Sequence, residues 1–228
     1  MKRLLFFFMF FMAFSAFAQS GNVLDKMDSG FSGILFRNKV MDKKADKVTG
    51  SPYLEDIFMS SSISGVENIF LTRYNAYKDE VEVSYDEETF LLPKDTRYET
   101  IWNKKSNYKL QLVNYISDKE ENIYGYLIDL FSNEKVGFFK REQIILQVGR
   151  QPENSYAPSV PPKYNRKSSQ FYLKVDTTKI VPFPRNKKAL IEIYPESKEK
   201  ITKYLKENRT SFKKEEDLIA LTKFLGSL

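Results

Sequence analysis

The chain has 228 residues with 36 Lys and Arg against 30 Asp and Glu, 15% aromatic residues, and neither His nor Cys. Without His or Cys there is no Ser-His-Asp or Cys-His nucleophilic centre, no ordinary zinc, copper, haem or iron–sulfur ligand set, and no disulfide. The chemistry left open runs on carboxylates, on Ser with Lys, on Tyr, or on oxygen-ligated Ca²⁺ or Mg²⁺.

Fifteen of the first 18 residues are apolar. Met1-Lys2-Arg3 is a positive leader, Leu4 to Phe14 an unbroken apolar run, and Ala16-Phe17-Ala18 a small-x-small cleavage signal. Residues 1–18 therefore read as a secretory signal peptide rather than a membrane anchor, because the 15 residues Leu4–Ala18 span as a helix only about 22 Å of a hydrocarbon core about 30 Å thick. Cleavage leaves 210 residues, and the loss of Lys2 and Arg3 takes the balance from +6 to +4. No Cys follows the leader, so the expected product is exported to the periplasm or cell surface, is not a lipoprotein, and has no membrane span after cleavage.

Residues 19–50 show no sustained period and read as an extended arm. A period of two then marks an antiparallel β-sheet region over 51–148, with strands expected at Asn68–Tyr74, Glu80–Tyr85, Tyr108–Ile116, Ile123–Phe131 and Lys135–Lys140. Short connectors such as Asp86-Glu87-Glu88 make these a meander. The strand Ile123–Phe131 is apolar on both faces, Tyr124, Tyr126, Ile128 and Leu130 against Ile123, Leu127 and Phe131, so something must cover each side. A Pro-containing linker over 149–168 leads to a strand at Phe171–Val175 and, from Asn186, to helical periodicity. Three short helices follow, with Pro195 at a start, Asn208 at an end, Glu215-Glu216-Asp217 in a first turn and Gly226 at a close. The region 169–228 is expected to form one domain with the sheet region. The fold class is α+β: a curved antiparallel β-meander, at most an incomplete barrel, with three short C-terminal helices packed on it.

The segments Gly50-Ser51-Pro52-Tyr53-Leu54, Arg73-Tyr74-Asn75-Ala76-Tyr77-Lys78-Asp79-Glu80-Val81-Glu82 and Lys213-Lys214-Glu215-Glu216-Asp217-Leu218-Ile219 resemble a family of exported hypothetical proteins of the Bacteroidota. The resemblance covers most of the chain after the leader. It implies an envelope location and brings no activity, ligand or site residue with it.

Among candidate constellations, the acidic group Asp79, Glu80, Glu82, Asp86, Glu87 and Glu88 could supply the two facing carboxylates of a glycosidase. The simpler account is the solvated face of an edge hairpin with Val81, Val83 and Tyr85 turned inward. Asp118, Glu120, Glu121 and Asn122 crowd one turn but lack the spacing of a calcium loop. The four S-x-x-K matches are no more than chance provides. Asn208-Arg209-Thr210 and Asp176-Thr177-Thr178 match glycan-acceptor patterns too short to assign. No catalytic residue, metal site or cofactor is assigned, and export with a balance of only +4 argues against nucleic acid.

The residues singled out for ligand binding are Arg73, Tyr74, Tyr77, Trp102, Tyr124 and Tyr126. Aromatics on a curved sheet can line a groove, and Arg73 can pair with Glu80 or Glu82 across a hairpin or meet an anion. The leading expectation is a non-enzymatic envelope binding or interaction module whose partner is an envelope protein, a glycan or a lipid-like ligand. The alternative is a carrier for an apolar, lipid-like ligand in a half-open barrel, and the third reading is a carboxylate-dependent glycoside hydrolase.

Overall fold

A computed structural model describes residues 48–150, 159–175 and 179–228. The leader, most of the arm and Asp176-Thr177-Thr178 lie outside the described residues. Ten strands form one antiparallel sheet, open at both ends, in the order β12-β11-β8-β7-β6-β5-β1-β2-β3-β4. They are β1 Met59–Ile63, β2 Ile69–Asn75, β3 Glu80–Tyr85, β4 Glu88–Leu91, β5 Thr100–Asn103, β6 Tyr108–Ile116, β7 Asn122–Ser132, β8 Gly137–Arg141, β11 Gln170–Lys174 and β12 Ile180–Pro182. A separate two-stranded ribbon pairs β9 Ile144–Gln147 with β10 Lys163–Arg166. The stretch read as a linker thus carries a strand. Three helices follow, here α1 Lys187–Ile193, α2 Lys198–Glu207 and α3 Glu215–Gly226. The α+β class with a curved, unclosed meander and three C-terminal helices is the architecture observed.

The two long central strands serve cores on both of their faces. Leu110 and Leu112 of β6 and Tyr126 and Ile128 of β7 join Ile63, Phe70, Val81, Val83, Phe90 and Ile101 in one cluster. On the reverse, Tyr115 and Leu127 pack with Phe139, Tyr172 and Ile180. β12 folds back until its backbone lies beside β6, and this wraps the second face. The covering that the two-faced pattern of β7 demands is therefore supplied by strands β8, β11 and β12 over most of its length.

The helices dock instead on the outer side of β8 and β11. Leu190, Ile201, Leu218, Leu221 and Leu225 bury against Phe138 and Leu173, with Leu130 and Phe131 at the end of β7. Side-chain spacing explains the helix limits. Asn186 caps α1 by accepting from the Ala189 N–H at 3.0 Å, and Glu215, Glu216 and Asp217 place negative charge in the first turn of α3, where exposed N–H groups favour it. Lys140 of β8 reaches Glu215 at 3.0 Å and fixes α3 to the sheet.

One polar contact closes the first curl. Asp79, at the β2–β3 turn with φ of 58°, accepts from the Tyr74 hydroxyl at 2.8 Å, from the Tyr126 N–H at 3.1 Å and from Lys94 Nζ at 2.6 Å. The hairpin is thereby latched to β7, four strands away in the sheet order β7-β6-β5-β1-β2. Gly125 makes this approach possible, since a Cβ there would overlap the Asp79 carboxylate. We expect Asp79→Ala to cost about 1–3 kcal/mol by leaving the Tyr126 N–H and the Tyr74 hydroxyl without an acceptor. Gly125→Ala should destabilise through the same contact, and urea denaturation that found both variants at wild-type stability would contradict the latch.

Burial also fixes how the fold responds to alkali. It pushes the Tyr108 phenol up to about 12, and raises Tyr115 and Tyr126 as well. For Tyr74, burial acts first and the Asp79 carboxylate adds to it. A phenol whose folded value lies above its unfolded value contributes stability that is whole below about pH 10 and is lost as pH climbs through the folded value. Unfolding free energy should therefore fall between about pH 10 and pH 12. A urea series giving a flat profile over that range would count against these burials.

Candidate binding surface

The six residues singled out from sequence do not share one groove. Tyr74 and Tyr126 are buried in the core, their rings meeting edge-on at 6.0 Å. Tyr77 is partly exposed and packs edge-on against Tyr164 of β10 at 5.2 Å. Tyr124 lies at the surface, and its carbonyl faces Lys94 at 3.5 Å. Trp102 also lies at the surface, 47% exposed.

Arg73 is fully engaged inside the protein. It stands opposite Glu82 in the β2–β3 register and binds that carboxylate through Nη2 at 2.6 Å and Nε at 3.3 Å. Its guanidinium lies 3.6 Å from the centre of the Tyr53 ring and 4.3 Å from that of Phe58, and Nη1 donates to the Asp56 carbonyl at 3.1 Å. Pairing with Glu82 is the arrangement the hairpin geometry favours.

The expectation of a fully solvated acidic hairpin is corrected here. Val81 and Val83 do turn into the core while Glu80 and Glu82 share the other face. Glu82 is nonetheless buried, because the segment leading into β1 lies across that face and the Tyr53 hydroxyl donates to Glu82 Oε1 at 3.1 Å. Asp86 and Glu87 do stay exposed, at φ of 50° and 62° in the two-residue turn of the β3–β4 hairpin.

A second desolvated acid is Asp129 of β7. Lys109 binds it across the β6–β7 ladder at 3.0 Å, and Ser132 donates to it at 2.6 Å. Each of these acids is held by a cation, Glu82 by Arg73 and Asp129 by Lys109. Asp118, in the crowded acidic turn, accepts from Gln170 Nε2 at 2.8 Å. Among the described residues no group of His, Cys, Asp and Glu is placed to hold a metal ion.

What the fold does assemble is an apolar strip across three strands. Ile69, Ser62 and Trp102 are successive register partners on β2, β1 and β5, and Leu71 faces Ser60 one step along. Ile69 is 56% exposed and Leu71 47%. Serines in the middle strand make the row a trough with apolar walls. At its Trp102 end lies a depression of about 230 Å³ lined by Ser62, Thr100, Trp102 and Lys109. The β5–β6 turn beside it carries the exposed Lys104 and Lys105.

Sequence reading found Trp102 but not Ile69 or Leu71. In β2 these alternate with Phe70, Thr72 and Tyr74, so the strand has apolar residues on both faces, as β7 does. That pattern signals burial on both sides. Only the packed structure shows that one side stays open at β2, β1 and β5 while the same sheet face is enclosed from β6 onward.

No family model, no curated protein and no solved structure matches this chain.

Trp102 is the only tryptophan of the chain, so its emission reports on this strip alone. The purified protein should emit like a water-exposed indole and be strongly quenched by acrylamide. A blue-shifted, protected spectrum would mean that the strip is covered. For the Arg73 clamp, Glu82→Ala should cost about 3–5 kcal/mol in urea unfolding, because it strands a largely buried guanidinium. Glu80→Ala, at a more exposed site, should change stability by less than about 1 kcal/mol.

Proposed function

We propose that this chain is a non-enzymatic binding module of the cell envelope, and that the strip Ile69, Leu71 and Trp102 is where its partner docks. The observation that carries the reading is three large apolar side chains standing exposed on one sheet face, Ile69 and Leu71 on β2 and Trp102 on β5, with serines of β1 between them. Contiguous exposed apolar groups on a folded surface mark an interaction site more often than scattered ones do, and Trp is a frequent energetic anchor in protein interfaces.

The partner we infer is a polypeptide with apolar residues flanked by carboxylates. The apolar residues match the trough, and the carboxylates match Lys104 and Lys105 at its edge. An envelope setting rests on the leader sequence. The carrier reading has less support, since the space inside the curled strands is filled by Tyr115, Leu127, Phe139 and Tyr172. The hydrolase reading has less again, with Glu82 committed to Arg73 and Asp129 to Lys109.

Site-specific photocrosslinking in the native host tests the proposal. A p-benzoylphenylalanine placed at Ser62 should trap one defined protein, and Leu71→Ser with Trp102→Ser should abolish the adduct while the variant remains folded by circular dichroism. The same probe at Glu87 should not trap it. Identical adducts from both positions, or none from Ser62, would refute the assignment.

A further inference from the structure

A second concave site lies at the other end of the sheet, where the β11–β12 edge meets the helices. Its volume is about 370 Å³, within the size range of small-molecule sites. The floor is Phe171, Phe183, Phe212 and Leu218, with Pro182 and Pro184 beside it. Phe183 and Leu218 are buried, and Phe138 ties the aromatic groups together, stacking with Phe171 and meeting Phe183 edge-on at 5.3 Å each.

Ser168, Ser169 and Gln170 also line the depression, and the charge around it is uneven. Arg185 and Lys213 are cationic and exposed, against one carboxylate, Asp118. That carboxylate already accepts from Gln170 at 2.8 Å, and Arg185 Nη2 stays 3.7 Å from it with 84% of its side chain exposed. Among the described residues the guanidinium fork therefore has no two-point partner, and two-point pairing is what it does best with a carboxylate.

We propose that this pocket binds a small apolar or aromatic group carrying a carboxylate. The ring or alkyl group lies on the phenylalanine floor and the carboxylate meets Arg185, with Lys213 adding attraction. Two sources share this chemistry, a free aryl or hydrophobic acid and the C-terminal residue of a peptide. The site is separate from the Trp102 strip and does not depend on its assignment.

Titration of the full chain after its leader, followed by ¹H–¹⁵N NMR, tests this directly. 3-Phenylpropionate should shift the Gln170 side-chain amide and the Leu218 and Lys213 N–H signals in a saturable way. N-acetylphenylalanine should do the same, and its amide, which lacks the carboxylate, should bind at least about ten-fold more weakly, as expected for loss of a charge-assisted pair. Arg185→Glu, at an exposed position, should weaken both acids by a similar factor. Lys203→Glu, the same charge change on α2, should not. Tighter binding of a tripeptide ending in Phe than of N-acetylphenylalanine would identify the peptide terminus as the source, and the reverse order a free acid. Equal binding of acid and amide, no saturable shift at millimolar ligand, or an equal loss in Lys203→Glu would overturn the proposal.

Discussion

The structure depends on one constraint: β6 and β7 cannot leave either of their faces in water. Leu110, Leu112, Tyr126 and Ile128 need cover on one side, and Tyr115 and Leu127 on the other. A flat sheet with a single helical layer would satisfy only one of these. The chain curls β1 to β5 over the first face and brings β8, β11 and β12 over the second, so the central pair becomes a wall shared by two cores. Packing both sides to the density of a protein interior fills the space a barrel ligand would need.

The polar groups follow from that arrangement. Bringing the β2–β3 hairpin against β7 buries donors that must find acceptors, and Asp79 serves Tyr74, Tyr126 and Lys94 together. Laying the segment before β1 across β2 and β3 buries Glu82, and Arg73 between two aromatic rings neutralises it. Charges taken out of water are tolerated when paired and hydrogen-bonded. These acids are thus part of how the sheet is held, and the surfaces proposed above for recognition are ones where apolar groups remain uncovered.

The two proposed surfaces differ in kind. The strip of Ile69, Leu71 and Trp102 is open and shallow, suited to a broad partner. The depression over Phe171, Phe183 and Phe212 is a deeper cavity of about 370 Å³ that mixes aromatic rings with cationic side chains, suited to a compact molecule with one polar end. Each sits where the sheet face changes from covered to uncovered, at β5 and at the β11–β12 edge.

Much of this architecture was legible in the order of residues. Alternation placed β2, β3, β6, β7 and β8 to within a residue or two, since a long strand with one wet face or two dry ones has a distinct period. Caps and charged turns placed the three helices. The strands β1, β4, β5, β9, β10 and β12 were not legible, because short strands owe much of their conformation to neighbours in the sheet, although the five-residue β8 and β11 were placed by their apolar runs. Whether an apolar side chain is core or surface was decided only by tertiary packing. Tyr126 and Trp102 look alike in sequence, yet one lies between two layers and the other stands on an open face. Burial is set by what crosses above a residue, and residues distant in the chain supply that cover.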